Sequence, residues 1–202
     1  VIAGPASYND TDPGMIRLQN ITGNSFEIKF QEWQYLADQG LASHDFEEAS
    51  YLVVEEGVHT MEDGSIWEAG TFEHSGSATS TLWETVYFEA QFPATPYLFL
   101  TIQTYNDPHP VIIRVKSVSE AKFQVALFEE EAITDGHAIE KIGYLAVYSA
   151  SLAGELNGVD ATYRFAQGLT DFNSTSMHGH EVTMLEEQSS DTETSHLSED
   201  VN

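Results

Sequence analysis

The stretch "TYNDPHPVIIRVKSVSEAKFQVALFEE" at residues 104–130 decides the fold, because it repeats "SYNDTDPGMIRLQNITGNSFEIKFQEW" at residues 7–33. The identities at a constant offset are Tyr8 with Tyr105, Asn9 with Asn106, Asp10 with Asp107, Pro13 with Pro110, Arg17 with Arg114, Phe26 with Phe123, and Glu32 with Glu129. Self-similarity at a fixed period indicates tandem structural units, here of about 95 residues each.

A second shared pattern extends the repeat. "SHDFEEASYLVV" at residues 43–54 matches "GHAIEKIGYLAV" at residues 136–147. The recurring pairs are His44 and Glu47 in the first copy, His137 and Glu140 in the second, and His196 and Glu199 in a third copy at residues 181–202. A pattern that recurs in each copy favours a role in the fold.

The repeats predict three segments. Residues 1–80 form a first repeat that lacks its first strand, since nothing in it matches "ETVYFEAQFPATP" at 84–96. Residues 81–168 form the second repeat, and residues 169–202 form a partial or degenerate third. We therefore expect the chain to be a window from a longer tandem array.

The net charge of the chain limits the classes of partner that it can bind. The chain has 33 Asp and Glu residues against 7 Lys and Arg residues, for a formal net charge of −26. Such a surface repels nucleic acid and anionic membranes, and it suits a saline medium or cations bound at defined sites. There is no cysteine, and no apolar run is long enough for a membrane span. Acceptor patterns for N-glycosylation at Asn20 and Asn173 add weak support for an extracellular or cell-surface location.

The apolar pattern predicts strands throughout. In "SFEIKFQEW" the side chains of Phe26, Ile28 and Phe30 share one face, which is the period of a half-buried strand. Asp63-Gly64 and Asn157-Gly158 are typical hairpin turns. Short strands at regular spacing predict an all-β protein of tandem antiparallel β-sandwich domains.

The second copy resembles the H-type lectin domain. The resemblance rests on "FPATPYLFLTIQTYND", "VIIRVKSVSEAKFQVALFEEE" and "IGYLAVYS", which follow the strand order of that family. It covers residues 84–149, most of residues 1–54 and a fragment at 181–202. It implies six-stranded antiparallel sandwiches that assemble as trimers and bind galactose-type sugars.

The resemblance also implies where a sugar would bind. The aromatic residue and histidine that contact sugar in the family fall at Trp33-Gln34 in the first copy and at Glu130-Glu131 in the second. Only Trp33 keeps the aromatic side chain, and no copy keeps the histidine. The candidate ligand-binding residues are Trp33, Gln34, Tyr35, Glu130 and Glu131, with Trp33 and Tyr35 expected to point outward from a strand.

The His–Glu pairs admit three interpretations. Imidazole and carboxylate bind Zn²⁺ or act as a general acid–base pair. Side chains three apart on a strand point to opposite faces, so either role needs a loop at the histidine. The alternative is a structural pair, in which each histidine bonds the backbone or the carboxylate of Glu32, Glu129 or Glu186 on a neighbouring strand.

Two further groups have both structural and binding interpretations. Asn9, Asp10, Asp12, Asn106 and Asp107 are typical of turns that their side chains cap, and their oxygens also suit Ca²⁺. Arg17 and Arg114 lie mid-strand, which favours a buried or interfacial ion pair with a strand glutamate.

Two function classes follow, neither of them enzymatic. The first is an extracellular, lectin-like tandem-repeat protein that binds a glycan or polysaccharide on a cell surface or matrix. The second is a structural subunit of a filament, sheath or adhesin stalk that self-associates into a homo-oligomer or polymer. No nucleophile motif or pair of carboxylates indicates catalysis, no cofactor is certain, and Ca²⁺ is the one cation considered.

Overall fold

The computed structural model describes residues 1–40, 44–75, 83–130, 133, 136–149, 153–155 and 162–164. The strands are β1 Ile2–Ala6, β2 Gly14–Gln19, β3 Glu27–Glu32, β4 Ala49–Leu52, β5 Gly57–Thr60, β6 Ile66–His74, β7 Glu84–Tyr87, β8 Tyr97–Ile102, β9 Val111–Lys116, β10 Lys122–Glu129, β11 Glu140–Tyr148, β12 Ala153–Glu155 and β13 Thr162–Arg164. One short helix, α1, spans Gln34–Asp38. The prediction of an all-β, antiparallel chain is confirmed.

The first compact unit, Val1–Tyr148, contains a sandwich built from β5 to β11. One sheet has the order β7-β10-β9, and the facing sheet has the order β5-β6-β11-β8. Phe123 and Val125 of β10 pack against Tyr144 and Ala146 of β11, which closes the core between the sheets. In β10 and β11 the core side chains occupy alternate positions, as the period of a strand requires.

Residues 1–52 repeat part of this sandwich. In both copies the long hairpin has the same register, because Gly14 pairs with Glu32 in β2–β3 as Val111 pairs with Glu129 in β9–β10. The β1–β4 pair likewise matches β8–β11. Described strands equivalent to β6 and β7 are absent from this part of the unit, so its sheets have two strands each.

The strands on either side of residue 80 belong to one sandwich. The long β6–β11 ladder joins Ile66–His74 to Glu140–Tyr148, so the predicted boundary at residue 80 falls between β6 and β7 of one sandwich. The repeated motifs divide instead between Leu52 and Gly57, where β4 is followed by β5. The second compact unit, Ser149–Asn202, contains the β12–β13 pair; the predicted boundary at residues 168 and 169 lies outside the described residues.

Candidate functional site

The first candidate site is a turn between β1 and β2 that a single carboxylate organises. Glu47 accepts hydrogen bonds from the hydroxyl of Ser7 and from the backbone N–H groups of Asn9 at 3.1 Å and Asp10 at 3.0 Å. We call Ser7–Asp12 with His44–Glu47 the first turn. These N–H groups belong to an irregular segment without ladder partners, so the carboxylate takes the place of a neighbouring strand.

His44 connects the first turn to the neighbouring hairpin. Its Nδ1 lies 3.2 Å from Glu32 Oε1 and its Nε2 lies 3.2 Å from Glu47 Oε1. Its ring also stacks on Phe30, with 4.2 Å between the centroids. The loop before β4 lets residues three apart converge, which an extended strand would prevent. Both ring nitrogens are therefore occupied by carboxylates.

Asp10 completes the first turn with its own two oxygens. Oδ1 accepts the N–H of Asp12 at 3.1 Å, and Oδ2 accepts the N–H of Asp45 at 3.0 Å. Asn9 donates its side-chain amide to the carbonyl of Phe46 at 2.8 Å. These bonds hold the two loops of the first turn together.

The same bonds recur in the second turn, defined as Thr104–His109 with His137–Glu140. Glu140 accepts from the hydroxyl of Thr104 and from the N–H of Asn106 at 3.0 Å. His137 lies 3.2 Å from Glu129 through Nδ1 and 3.2 Å from Glu140 through Nε2. The structure thus brings each histidine together with the two glutamates at the equivalent positions.

Asp107 plays the part of Asp10 in the second turn. Its oxygens accept the N–H groups of His109 at 3.0 Å and Ala138 at 2.9 Å. Asn106 donates its side-chain amide to the carbonyl of Ile139 at 2.7 Å. The residues that are identical in the two copies therefore make equivalent hydrogen bonds in the two turns. His196 and Glu199 lie outside the described residues.

Arg17 of the first hairpin enters the second turn. Its guanidinium pairs with Glu140, and both side chains are fully buried. It also donates to the backbone carbonyls of Thr104 at 3.1 Å, Asp107 at 3.1 Å and His109 at 3.3 Å. The guanidinium carbon lies 4.5 Å from the centre of the Tyr105 ring. The several fixed donors of arginine suit this arrangement of acceptors, which lysine cannot fill.

Burial and hydrogen bonding act in opposite directions on Glu140. Burial raises the pKa of its carboxyl, while bonds from His137 and Thr104 and the charge of Arg17 lower it. The lowering prevails and brings the pKa to about 2, so Glu140 is ionised over the physiological range. The pKa of Glu47 is also lowered, first by its bond from Ser7.

Two residues that sequence patterns did not single out join the contact between copies. Gln31 accepts a bond from Arg17 at 2.9 Å and donates to the carbonyl of Pro108 at 2.6 Å. The ammonium of Lys29 lies 4.0 Å from the centre of the Tyr105 ring. The sequence feature that could have indicated this contact is the tyrosine at Tyr8 and Tyr105, which recurs in both copies but lies outside the alternating apolar pattern of the strands. Arg17 matches the predicted buried ion pair with a strand glutamate, whereas Arg114 is exposed.

The candidate ligand residues lie at the other end of the first hairpin. The expectation that Trp33 and Tyr35 extend β3 is wrong, because β3 ends at Glu32 and α1 begins at Gln34. The carboxylate of Glu130 accepts the N–H groups of Gln34 at 2.8 Å and Tyr35 at 3.2 Å. The first N–H groups of a helix have no partner within the helix, and here Glu130 accepts two of them. This carboxylate therefore stabilises the start of α1 at the point where β3 ends. Trp33 is half-buried, and Glu131 lies outside the described residues.

Among the described residues, no group of three or more His, Asp or Glu side chains is arranged to hold a metal ion. In that part of the chain, no helix is long and apolar enough to cross a membrane. In both turns the carboxylates of Glu47, Glu140, Asp10 and Asp107 accept internal hydrogen bonds. Their arrangement fixes loops to strands and, through Arg17, fixes one copy of the repeat to the next.

Comparison with known proteins yields one curated relative to report. The chain is 28% identical over 176 residues, or 84% of its length, to Halomucin of Haloquadratum walsbyi (strain DSM 16790 / HBSQ001). It spans about 2% of the length of that relative. No protein-family model matches the chain, and no solved structure matches it. The similarity is therefore to a small part of a much longer protein.

Proposed function

We propose that the chain is a non-catalytic structural segment of an extracellular tandem-repeat protein, with each repeat fastened to the next by an arginine. The observation that carries the proposal is Arg17, which belongs to the first copy and is fully buried in the second turn. A charged side chain is rarely buried without paired partners, and here a carboxylate and three backbone carbonyls receive it. Such a contact fixes the position of one repeat on another.

The surroundings of His137 support a structural rather than a catalytic pair. The side chains of His137, Glu129 and Glu140 are fully buried. Both ring nitrogens of His137 are held by carboxylates within hydrogen-bond distance. A general base must reach the proton that it removes from a substrate, and the contacts of these buried groups are made with one another and with Arg17, Thr104 and Asn106.

An extracellular and saline location draws on the charge and on the relative. A net charge of −26 gives strong self-repulsion at low ionic strength, which salt screens. The relative that supports this location is Halomucin of Haloquadratum walsbyi. Absence of cysteine means that packing and buried polar contacts, rather than disulfides, must maintain the repeats.

Hydrogen exchange of the full chain tests the fastening. We expect Arg17→Ala to speed amide exchange in residues 1–52, because the variant removes the guanidinium that balances the buried charge of Glu140 and releases the first hairpin from the second turn. The matched control is Arg114→Ala, which removes the equivalent but exposed arginine and should leave the exchange pattern unchanged at a protein concentration where the chain is monomeric. Equal exchange in wild type and Arg17→Ala would contradict the proposal.

Glycan binding is the second candidate, and Tyr35 is the observation that favours it. Its side chain is 41% exposed beside the half-buried Trp33, and an exposed aromatic ring is a stacking surface for a sugar. The resemblance to H-type lectins points in the same direction. A glycan or polysaccharide array screened with wild type, Tyr35→Ala and the control Tyr87→Ala separates the candidates. Binding that only Tyr35→Ala abolishes would establish a lectin role, while an array without ligands would remove it.

A further inference from the structure

The second hairpin, β9–β10, presents an arginine where the first hairpin, β2–β3, presents Arg17. The two hairpins have the same register, since Arg17 pairs with Lys29 and Arg114 pairs with Ala126. Arg17 is fully buried in the second turn, yet Arg114 is exposed. Among the described residues, the guanidinium of Arg114 contacts the ring of Phe128, with 5.7 Å to its centroid. The second hairpin therefore has an arginine without the acceptors that Arg17 has.

The first turn has those acceptors without an arginine. Glu47 receives the same bonds from a hydroxyl, two backbone N–H groups and a histidine as Glu140 does, but no guanidinium. The carbonyls equivalent to those that accept from Arg17 belong to Ser7, Asp10 and Asp12. Tyr8 is 80% exposed, whereas the equivalent Tyr105 is covered by Arg17 at 4.5 Å and Lys29 at 4.0 Å.

Charge is distributed in the same sense. Five of the seven Lys and Arg residues lie on the two hairpins, namely Arg17, Lys29, Arg114, Lys116 and Lys122. The first turn is acidic, with Asp10, Asp12, Asp45 and Glu47. An exposed basic hairpin and an exposed acidic turn on one molecule are complementary, so they attract a second copy in a defined orientation.

We propose that Arg114 of one chain binds in the first turn of a second copy, in the geometry that Arg17 adopts in the second turn. This rests on the proposed structural function and deepens it by naming the surface and the partner. The contact is heterologous, because each chain contributes a different surface, and it leaves one hairpin and one turn free at the ends of each pair. Copies therefore add head to tail.

The second hairpin differs from the first at two positions that affect the strength of this contact. Ala126 replaces Lys29, and Phe128 replaces Gln31, so Arg114 acts with one cation fewer and an aromatic neighbour. The contact between chains is consequently expected to be weaker than the internal one. It forms as the concentration of protein rises and dissociates on dilution.

Sedimentation velocity of the full chain in high salt tests the proposal. Wild type is expected to shift from monomer to dimer and longer species with concentration. Arg114→Ala should weaken association by about tenfold or more, because it removes the charged group that the turn receives. Tyr8→Arg, at an exposed position, should have a similar effect by repelling Arg114. Lys141→Ala is the control, because it removes an exposed cation outside both hairpins.

Mixing the variants gives the sharpest outcome. Arg114→Ala retains an intact first turn and Tyr8→Arg retains an intact Arg114, so their mixture should form a 1:1 dimer and nothing longer. Wild type that stays monomeric at all concentrations, or association that Arg114→Ala and Lys141→Ala change equally, would overturn the proposal. Neither result changes the effect expected of Arg17→Ala on hydrogen exchange. The exchange experiment therefore tests the proposed function independently of the contact between chains.

Discussion

The guanidinium of Arg17 is the group through which the two copies depend on each other. It is buried with Glu140, and it donates to Gln31 and to three backbone carbonyls. A buried ion pair is weak evidence for net stability, because both ions lose their hydration. Loss of one partner is costly all the same, since the other charge remains buried. The expected role of Arg17 is therefore to specify position rather than to add stability over an apolar contact.

Acid should remove the advantage that Arg17 confers. The pKa of Glu140 is lowered from 4.5 to about 2, so its contribution is complete above pH 4.5 and is lost as the pH falls toward 2. In Arg17→Met the pKa of Glu140 should rise, because the charge of Arg17 is lost, while the bonds from His137 and Thr104 continue to lower it. The difference in unfolding free energy between wild type and Arg17→Met should then shrink between pH 4.5 and 2, as measured by denaturant titration at each pH.

The control for this titration is Arg114→Met, whose difference from wild type should stay small at every pH when the protein is dilute enough to be monomeric. A difference between wild type and Arg17→Met that stays constant or grows on acidification would contradict the role given to Glu140.

The repeat in the sequence identified the residues of both turns but not the contact between copies. Alignment at a constant offset shows that His44 and His137 are equivalent, and a neighbouring glutamate was a foreseeable partner for each. The alignment does not show which copy Arg17 faces, because Arg17 and Arg114 occupy the same position of the repeat and yet have different neighbours in the structure. That Arg17 is buried and Arg114 exposed follows from which turn lies beside each hairpin.

At the scale of elements, equivalent strands differ most in burial. Tyr51 and Leu52 of β4 are 59% and 43% exposed, while Tyr144 and Leu145 of β11 are 7% and 3% exposed. The reason is the strand β6, which pairs with β11, whereas among the strands that the structure describes β4 pairs with β1 alone. The apolar pattern of β4 is that of a core strand, and it leaves an apolar face of the first copy open.

Alanine substitution at the matched leucines measures this difference. Leu145→Ala should lower the free energy of unfolding by about 2–5 kcal/mol, because it opens a cavity in a closed core. Leu52→Ala should cost about 1 kcal/mol or less, because its side chain is already partly in water. Equal costs in chemical denaturation of the monomer would show that the face around Leu52 is covered.

Strands were predictable from alternation, and α1 was not. The segment from Trp33 to Asp38 lacks a helical stripe of useful length, and its start depends on Glu130, a residue almost a hundred positions away. The grouping of the strands into one sandwich could not be predicted either, because a tandem repeat can be divided at any position along its length without changing the alignment of the copies. Only the β6–β11 ladder shows that β5 and β6 belong with the strands that follow them.

At the scale of the whole molecule, acidity and repetition support one account. The chain has a net charge of −26, while five of its seven cations lie on the two hairpins, and the first hairpin meets the second turn through Arg17. In the proposed contact between copies, acidic surfaces repel one another except where Arg114 meets Glu47, so the charge pattern would direct association to one site. A tandem protein of this kind would be ordered along its length by the same contact at each repeat.

A double-mutant cycle on Arg17 and Glu140 tests this account most directly, with Arg17→Met, Glu140→Gln and the double variant unfolded in denaturant. We predict a coupling free energy of about 2 kcal/mol or more, as for close buried charge pairs. The equivalent cycle on Arg114 and Glu47, at a concentration where the chain is monomeric, should give coupling within about 0.5 kcal/mol of zero. Coupling near zero in the Arg17 cycle, or equal coupling in both cycles, would contradict the claim that one repeat is fastened to the next through this arginine.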